Sequence, residues 1–209
     1  TNTQPDRQNN NSGMVYADAI KSRQFWYMAS AFFFGGVCSQ TLHVHQVAYL
    51  VDHGIAALTA SGIVGLVGIA SIIGKTGGGW MSDYIERELV YVSGISIMVL
   101  SVLVLLIVGS IGSLTGAYIY AILLGVGYSA TAALMPAMMS DRFEGDNFGS
   151  ILGTALFGSA LGAAFGPWMG GYLFDLFGSY IIPFSIAATC GIIAAVSGWN
   201  ARKLRILNK

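Results

Sequence analysis

Charge is what this chain has least of. Only 10% of its 209 residues are Asp, Glu, Lys or Arg, ten basic against ten acidic, whereas a soluble domain carries roughly a quarter. That shortage leaves too little polar surface for a domain bathed in water. With the two signs in balance and no basic patch, no nucleic-acid partner is expected. Cysteine is scarce too. Cys38 and Cys190 lie in apolar stretches with no Cys or His neighbour at ligand spacing, which argues against a disulfide-stapled domain and a metal site. They read as small buried apolar residues. No nucleophile–base pair occurs, and the glycines at 77–79 follow Lys75 in the reverse order of a phosphate-binding loop. Neither an enzyme nor a bound cofactor is expected.

What is abundant is uncharged apolar sequence, 55% of the chain. No charged residue occurs in 24–51, 53–74, 89–140, 147–174 or 176–201, and a helix that spans a bilayer needs about 20 apolar residues. The run 89–140 holds two spans, with a glycine- and serine-rich turn at 109–116 in its middle. Six helices are therefore predicted, over 24–49, 56–80, 89–109, 115–139, 148–174 and 179–201. Helices are expected because backbone polar groups in lipid must be satisfied within the segment, and the alternation of a barrel is absent. The fold class is an all-α membrane protein with a six-helix bundle at 22–205, a flexible linker at 1–21 and a tail at 206–209.

The polar start has no apolar segment of signal-peptide type, and the opening at Thr1 instead of Met suggests a piece of a longer chain. All ten cations fall at or near one side of the predicted spans, against only Asp52, His53 and Asp175 in the opposite loops. The positive-inside rule then puts both termini in the cytoplasm and the chain in a cell membrane, plasma or bacterial inner, with lipid as its surroundings. Gly158, Gly162, Gly166 and Gly170 recur every fourth residue, with Gly149 and Gly153 upstream. Such a ladder lets another backbone approach closely; glycine is also simply frequent in membrane helices. Pro136 and Pro167 fall inside spans and permit kinks.

The segment from Gly79 to Arg87 (GWMSDYIER) resembles the GxxxDxxGRR loop of the major facilitator superfamily, with Glu86 and Glu88 where that pattern has Gly and the second Arg. Three more stretches, His45–Gly54, Asp141–Gly149 and Gly166–Ser179, resemble bacterial relatives of monocarboxylate transporters and of oxalate/formate antiporters. The resemblance covers about 20–205. It implies the C-terminal half of a twelve-helix transporter, helices seven to twelve, with substrate bound between two repeats near the midplane. The partner would be the missing N-terminal half or, failing that, a second copy forming a homodimer.

Lys75 is the sharpest candidate for a site. It lies eight residues before Asp83, about 12 Å deeper on a continuous helix, and a cation at that depth marks a site that faces a cavity. In the resembling family a basic residue here binds the substrate carboxylate; the alternative is a lysine that snorkels to the headgroups. Ser71 stands where eukaryotic members have an Asp. His43 and His45, two residues apart, point about 200° apart and cannot share a cavity. Either imidazole can carry a proton or bind substrate, or can be a neutral histidine bonded between helices; His45 matches the family's motif position. Tyr120, Leu124, Tyr128, Thr131 and Met135 share a stripe, and mid-span Tyr128 is the candidate substrate contact on it, against plain aromatic packing. Tyr120 also suits an interfacial belt. Asp83 and Arg87 are the candidate cytoplasmic gate, or else an ordinary i,i+4 pair in a solvated loop.

The expected function is secondary transport of a small organic anion, a monocarboxylate in first place, by proton symport or anion exchange. A dicarboxylate is disfavoured because the fifth span lacks the second cation of the oxalate-handling relatives. The rival expectations are a carrier of a neutral or cationic compound and a stand-alone six-helix assembly partner.

Overall fold

The computed structural model describes residues 15–207. It is all helical among those residues: α1 (Tyr16–Ala19), α2 (Arg23–Asp52), α3 (Ala57–Tyr84), α4 (Arg87–Ile111), α5 (Leu114–Ser140), α6 (Phe148–Phe177) and α7 (Ile181–Leu207). The last six correspond to the six predicted spans, with every C-terminus running further than expected. Helices of 25 to 30 residues rise about 37 to 45 Å, more than the roughly 30 Å of hydrocarbon, so their ends stand in the headgroup zone where charge is tolerated. Of the linker expected over 1–21, residues 1–14 lie outside the described residues, and α1 is held to α6 by Tyr16 Oη and Thr154 Oγ1 at 3.0 Å. The expected tail at 206–209 is helical through Leu207, and its last two residues lie outside the described residues.

Local chemistry sets the boundaries. Ser22 Oγ accepts from the Phe25 amide at 3.1 Å and starts α2, and Ser113 Oγ does the same for Gly116 at the start of α5. Gly112 and Gly178, both left-handed, end α4 and α6. The whole turn between α4 and α5 is thus Gly112 and Ser113, narrower than the 109–116 segment predicted.

Five of the long helices are apolar enough to cross a membrane by length and composition: α3 to α7. The 30-residue α2 is long enough but more polar, because it carries Ser39, Gln40, Thr41, His43, His45 and Gln46. Its position accounts for this. It packs along α6 and α7 and touches α3, α4 and α5, so its polar groups face protein instead of lipid. The extensive contacts run α3–α5–α4–α7–α2–α6, and α2 meets α5 across the middle. Four helices form a ring, with α3 and α6 flanking it. These two bury the least of themselves, 28% and 17%, which leaves large faces for lipid or further helices.

The glycine ladder divides in two. Gly162, Gly166 and Gly170 lie against Phe33, Val37 and His45 of α2, so closely that a methyl group on any of them would collide. Gly149, Gly153 and Gly158 meet nothing within 4 Å. Gly74 and Gly125 seal the α3–α5 contact in the same way.

Candidate functional site

On α3, Ala60, Ile63, Val67, Ala70, Gly74 and Gly78 are buried against the bundle at helical spacing. Two further stripes flank them. One is bulky and exposed: Leu58, Ile69, Ile72, Ile73, Trp80 and Tyr84. The other is small and polar: Ser61, Gly68, Ser71, Lys75, Gly79 and Ser82. Lys75 is exposed and makes no hydrogen bond or ion pair with the described residues. A lysine in the same helix end as Trp80 and Tyr84, but on a different face from the isoleucines, is directed away from the bulky apolar side.

Its depth follows from its neighbour. Gly74 abuts Val126 and Ser129, so Lys75 is level with the middle of the 27-residue α5 and with Tyr128. From Lys75 to the end of α3 at Tyr84 is nine residues, about 13 Å of rise. A four-carbon stem covers part of that rise, and the helix end already stands in the headgroup zone, so snorkelling is the competing position of the ammonium.

At this level α2 and α5 meet through polar and aromatic groups. The His43 ring lies 4.6 Å from that of Tyr128, and its Nδ1 donates to the Ser39 carbonyl at 2.7 Å. A donor at Nδ1 leaves Nε2 with a free lone pair in the neutral ring. One turn away, Tyr120 Oη donates to Gln46 Oε1 at 2.9 Å, both side chains fully buried. Tyr120 is therefore an interhelical bond and not part of an interfacial belt. Below them a cavity of about 130 Å³ opens between α2, α5 and α6, lined among others by Ser39, Gln40, Tyr128, Thr131 and Ser159.

His45 turns the other way. Its Nε2 donates to the Pro167 carbonyl of α6 at 2.9 Å, and its ring lies beside Gly170 and 5.2 Å from Tyr180. The structure thus brings Tyr128 and His43 together at the depth of Lys75, and holds His45 in the α2–α6 seam. The expected divergence of the two imidazoles is what the helix produces.

The end of the bundle that carries the Arg87 loop is held by three ion pairs. Arg87 Nη1 donates to Asp141 Oδ1 at 2.5 Å and to the Ala137 carbonyl at 3.1 Å. Arg142 Nη2 meets Glu88 Oε1 at 2.7 Å, and Arg202 Nε meets Glu86 Oε2. Arg87 is engaged by Asp141 and not by Asp83, because α3 ends at Tyr84 and the two-residue break before Arg87 removes the i,i+4 register. Asp83 is exposed and lines a cavity of about 540 Å³ with Arg87, Asp141 and Glu144. Sequence reasoning registered Glu86 and Glu88 only as departures from a motif. Their partners explain them: Glu86, just before α4, is matched by Arg202 of α7, and Glu88, in its first turn, by Arg142 at the exit of α5. The signal available in the sequence was the charge alternation Glu86-Arg87-Glu88 facing Asp141-Arg142 in opposite order.

A bundle of long apolar helices with a lone cation at mid-depth and charge confined to its ends is a multi-pass membrane protein. Residues 45–205 match the family model of the Major Facilitator Superfamily, and the chain belongs to that family of membrane transporters. It is 26% identical over 159 residues to YcxA, an uncharacterized MFS-type transporter of Bacillus subtilis, a match that spans 75% of this chain and 38% of the relative. The crystal structure of the MFS transporter FucP in its outward conformation matches 90% of this chain and 45% of its own length, with a TM-score of 0.75 at 13% identity. A structure of the E. coli fucose:proton symporter FucP gives a TM-score of 0.69, also at 13% identity, over 90% of this chain and 46% of that one. The chain spans less than half the length of these proteins, and its architecture is that of half a major facilitator fold.

Proposed function

We propose that this chain is the C-terminal six-helix half of a secondary transporter that moves a small organic anion, a monocarboxylate in first place, by alternating access. It would work with a second six-helix repeat, as a proton symporter or an anion exchanger, in a cell membrane with both termini cytoplasmic.

Lys75 carries this reading. An ammonium near the bilayer middle is costly unless it faces water or an anion. Lys75 stands there on the small, polar side of α3 without a carboxylate partner among the described residues. The missing negative charge is what a carboxylate substrate supplies. Tyr128, at the same level, offers a hydroxyl to that carboxylate. Each imidazole spends one nitrogen on a carbonyl; His43, beside Tyr128 in the α2–α5 contact at the level of Lys75, suits the role of proton carrier better than His45 in the α2–α6 seam. The ion pairs on α4 serve as the cytoplasmic latch, with Arg87 held by Asp141 and Asp83 at the mouth.

The test is uptake of labelled monocarboxylates by proteoliposomes holding the full-length protein. Lys75→Ala abolishes uptake while the protein remains inserted, and Lys75→Arg retains part of it. Unchanged carboxylate uptake by Lys75→Ala, or inhibition of transport only by cationic or neutral compounds, overturns the proposal.

A further inference from the structure

The end of the bundle opposite the Arg87 loop holds a second cavity, of about 430 Å³, lined among others by Asp52, Phe174, Gly178 and Tyr180. It opens where α2 and α6 finish. Asp52 is the last residue of α2, and Asp175 lies two residues before the end of α6. The carbonyls of a helix C-terminus carry negative partial charge and favour cations, yet each of these last turns carries an acid and neither carries a base. Neither carboxylate has a hydrogen bond or an ion pair among the described residues, and no lysine or arginine lies in the loops at this end. The start of α7 brings little that would hold an anion, because Ser179 Oγ already accepts from the Ile181 amide at 3.3 Å. His53 brings no donor either: its Nδ1 is spent on the Tyr49 carbonyl at 2.7 Å, and its Nε2 lies against Gly109 of α4.

Two solvated carboxylates alone would need no ligand. Tyr180 makes the difference. Its ring is stacked on Phe174 at 4.3 Å and on Phe184 at 5.5 Å, and the residue is only 7% exposed. Its hydroxyl makes no hydrogen bond with the described residues and belongs to the cavity wall, where the charges of Asp52 and Asp175 both act on it. A phenol oxygen so placed offers lone pairs to an N–H, and leaving it unmatched costs free energy. A metal ion suits the space poorly. Among the described residues no group of three His, Cys, Asp or Glu is arranged to hold one, and the volume is the share of about fourteen water molecules. We infer that this cavity binds a small primary organic ammonium ion, with Asp52 and the Tyr180 oxygen accepting its N–H groups and Phe174 covering its carbon chain. Asp52 lies nine residues beyond His43 on α2, about 13 Å along the axis, so this site is separate from the one proposed for the transported acid and its ligand is a different one.

Calorimetric titration of the full-length protein in lipid nanodiscs, with empty nanodiscs subtracted, tests this. The probes are butylammonium, tetramethylammonium, calcium and butyrate at constant ionic strength. Butylammonium is expected to bind saturably and most tightly of the four, since tetramethylammonium has the charge without an N–H. Asp52→Asn should weaken it about tenfold, the worth of one charge-assisted hydrogen bond. Tyr180→Phe, which keeps the aromatic stack and loses only the hydroxyl, should weaken it about fivefold. Asp146→Asn, which removes an exposed acid at the other end of the bundle, should leave it unchanged. No saturable binding of butylammonium, tighter binding of any other probe, or affinity that survives both Asp52→Asn and Tyr180→Phe overturns the site. Equal weakening by Asp146→Asn and Asp52→Asn also overturns it, as attraction to net charge alone.

Discussion

Gly162→Ala tests whether α2 and α6 pack as closely as the structure has them. A methyl group built on Gly162 would lie 3.0 Å from the Phe33 carbonyl carbon and closer still to its oxygen. That neighbour is backbone, which cannot swing aside as a side-chain tip does. Forcing an extra methyl into such a contact costs about 1–3 kcal/mol, while replacing a helical glycine by alanine returns about 0.5–1 kcal/mol. The net expectation is a loss of up to about 2.5 kcal/mol. Gly166→Ala should behave alike, since its methyl would stand 2.6 Å from the Val37 carbonyl oxygen. Gly65→Ala is the control. Gly65 lies on the exposed face of α3 with nothing within 4 Å, so only the favourable term operates and the variant gains up to about 1 kcal/mol. Thermal unfolding of the purified protein in detergent, followed by size exclusion after heating, reads the order directly. The reasoning predicts Gly65→Ala at or above the parent, and Gly162→Ala and Gly166→Ala below it. A Gly162→Ala protein as stable as the control would refute the close α2–α6 seam.

Other substitutions divide by burial and by partner. Glu88→Ala strands Arg142 at a site where the pair is 1% and 13% exposed, so it should cost about 3–5 kcal/mol; Asp141→Ala, whose pair is 27–30% exposed, should cost less than about 1 kcal/mol, both read by the same unfolding assay. Tyr120→Phe leaves the buried Gln46 carbonyl oxygen without its donor and should lower stability by about 1–3 kcal/mol. For coupling, His43→Gln is expected to abolish uphill uptake driven by an imposed pH gradient while exchange at equal pH survives, and His45→Gln, which retains a donor for Pro167, to keep both. The reverse pattern would move the proton to His45.

The membrane class was legible because uncharged stretches such as 53–74 and 176–201 admit one physical reading, whereas 24–51 lacks charge but is too polar to be read as a span by composition. Lys75 was legible for the same reason, as a lone charge deep in an apolar run. What the sequence could not show depends on contacts far apart along the chain. The glycine ladder has one period, yet only the glycines from 162 onward meet α2. His43 and His45 differ by two positions, and only the neighbours supplied by α5 and α6 set one beside Tyr128 and the other against the Pro167 carbonyl. Asp83 and Arg87 sit four apart, but a break in the helix gives Arg87 to Asp141.

Access to Lys75 is the most direct test. With Cys38 and Cys190 replaced by serine, Lys75→Cys is treated in intact membranes with membrane-impermeant thiosulfonates. The account predicts labelling from water, protection by the transported acid, and partial recovery of uptake when the attached group is an ammonium but not when it is a sulfonate. A thiol that is not labelled would place Lys75 against lipid, and one labelled without protection by any organic acid would place it in water away from the substrate; either result contradicts the account.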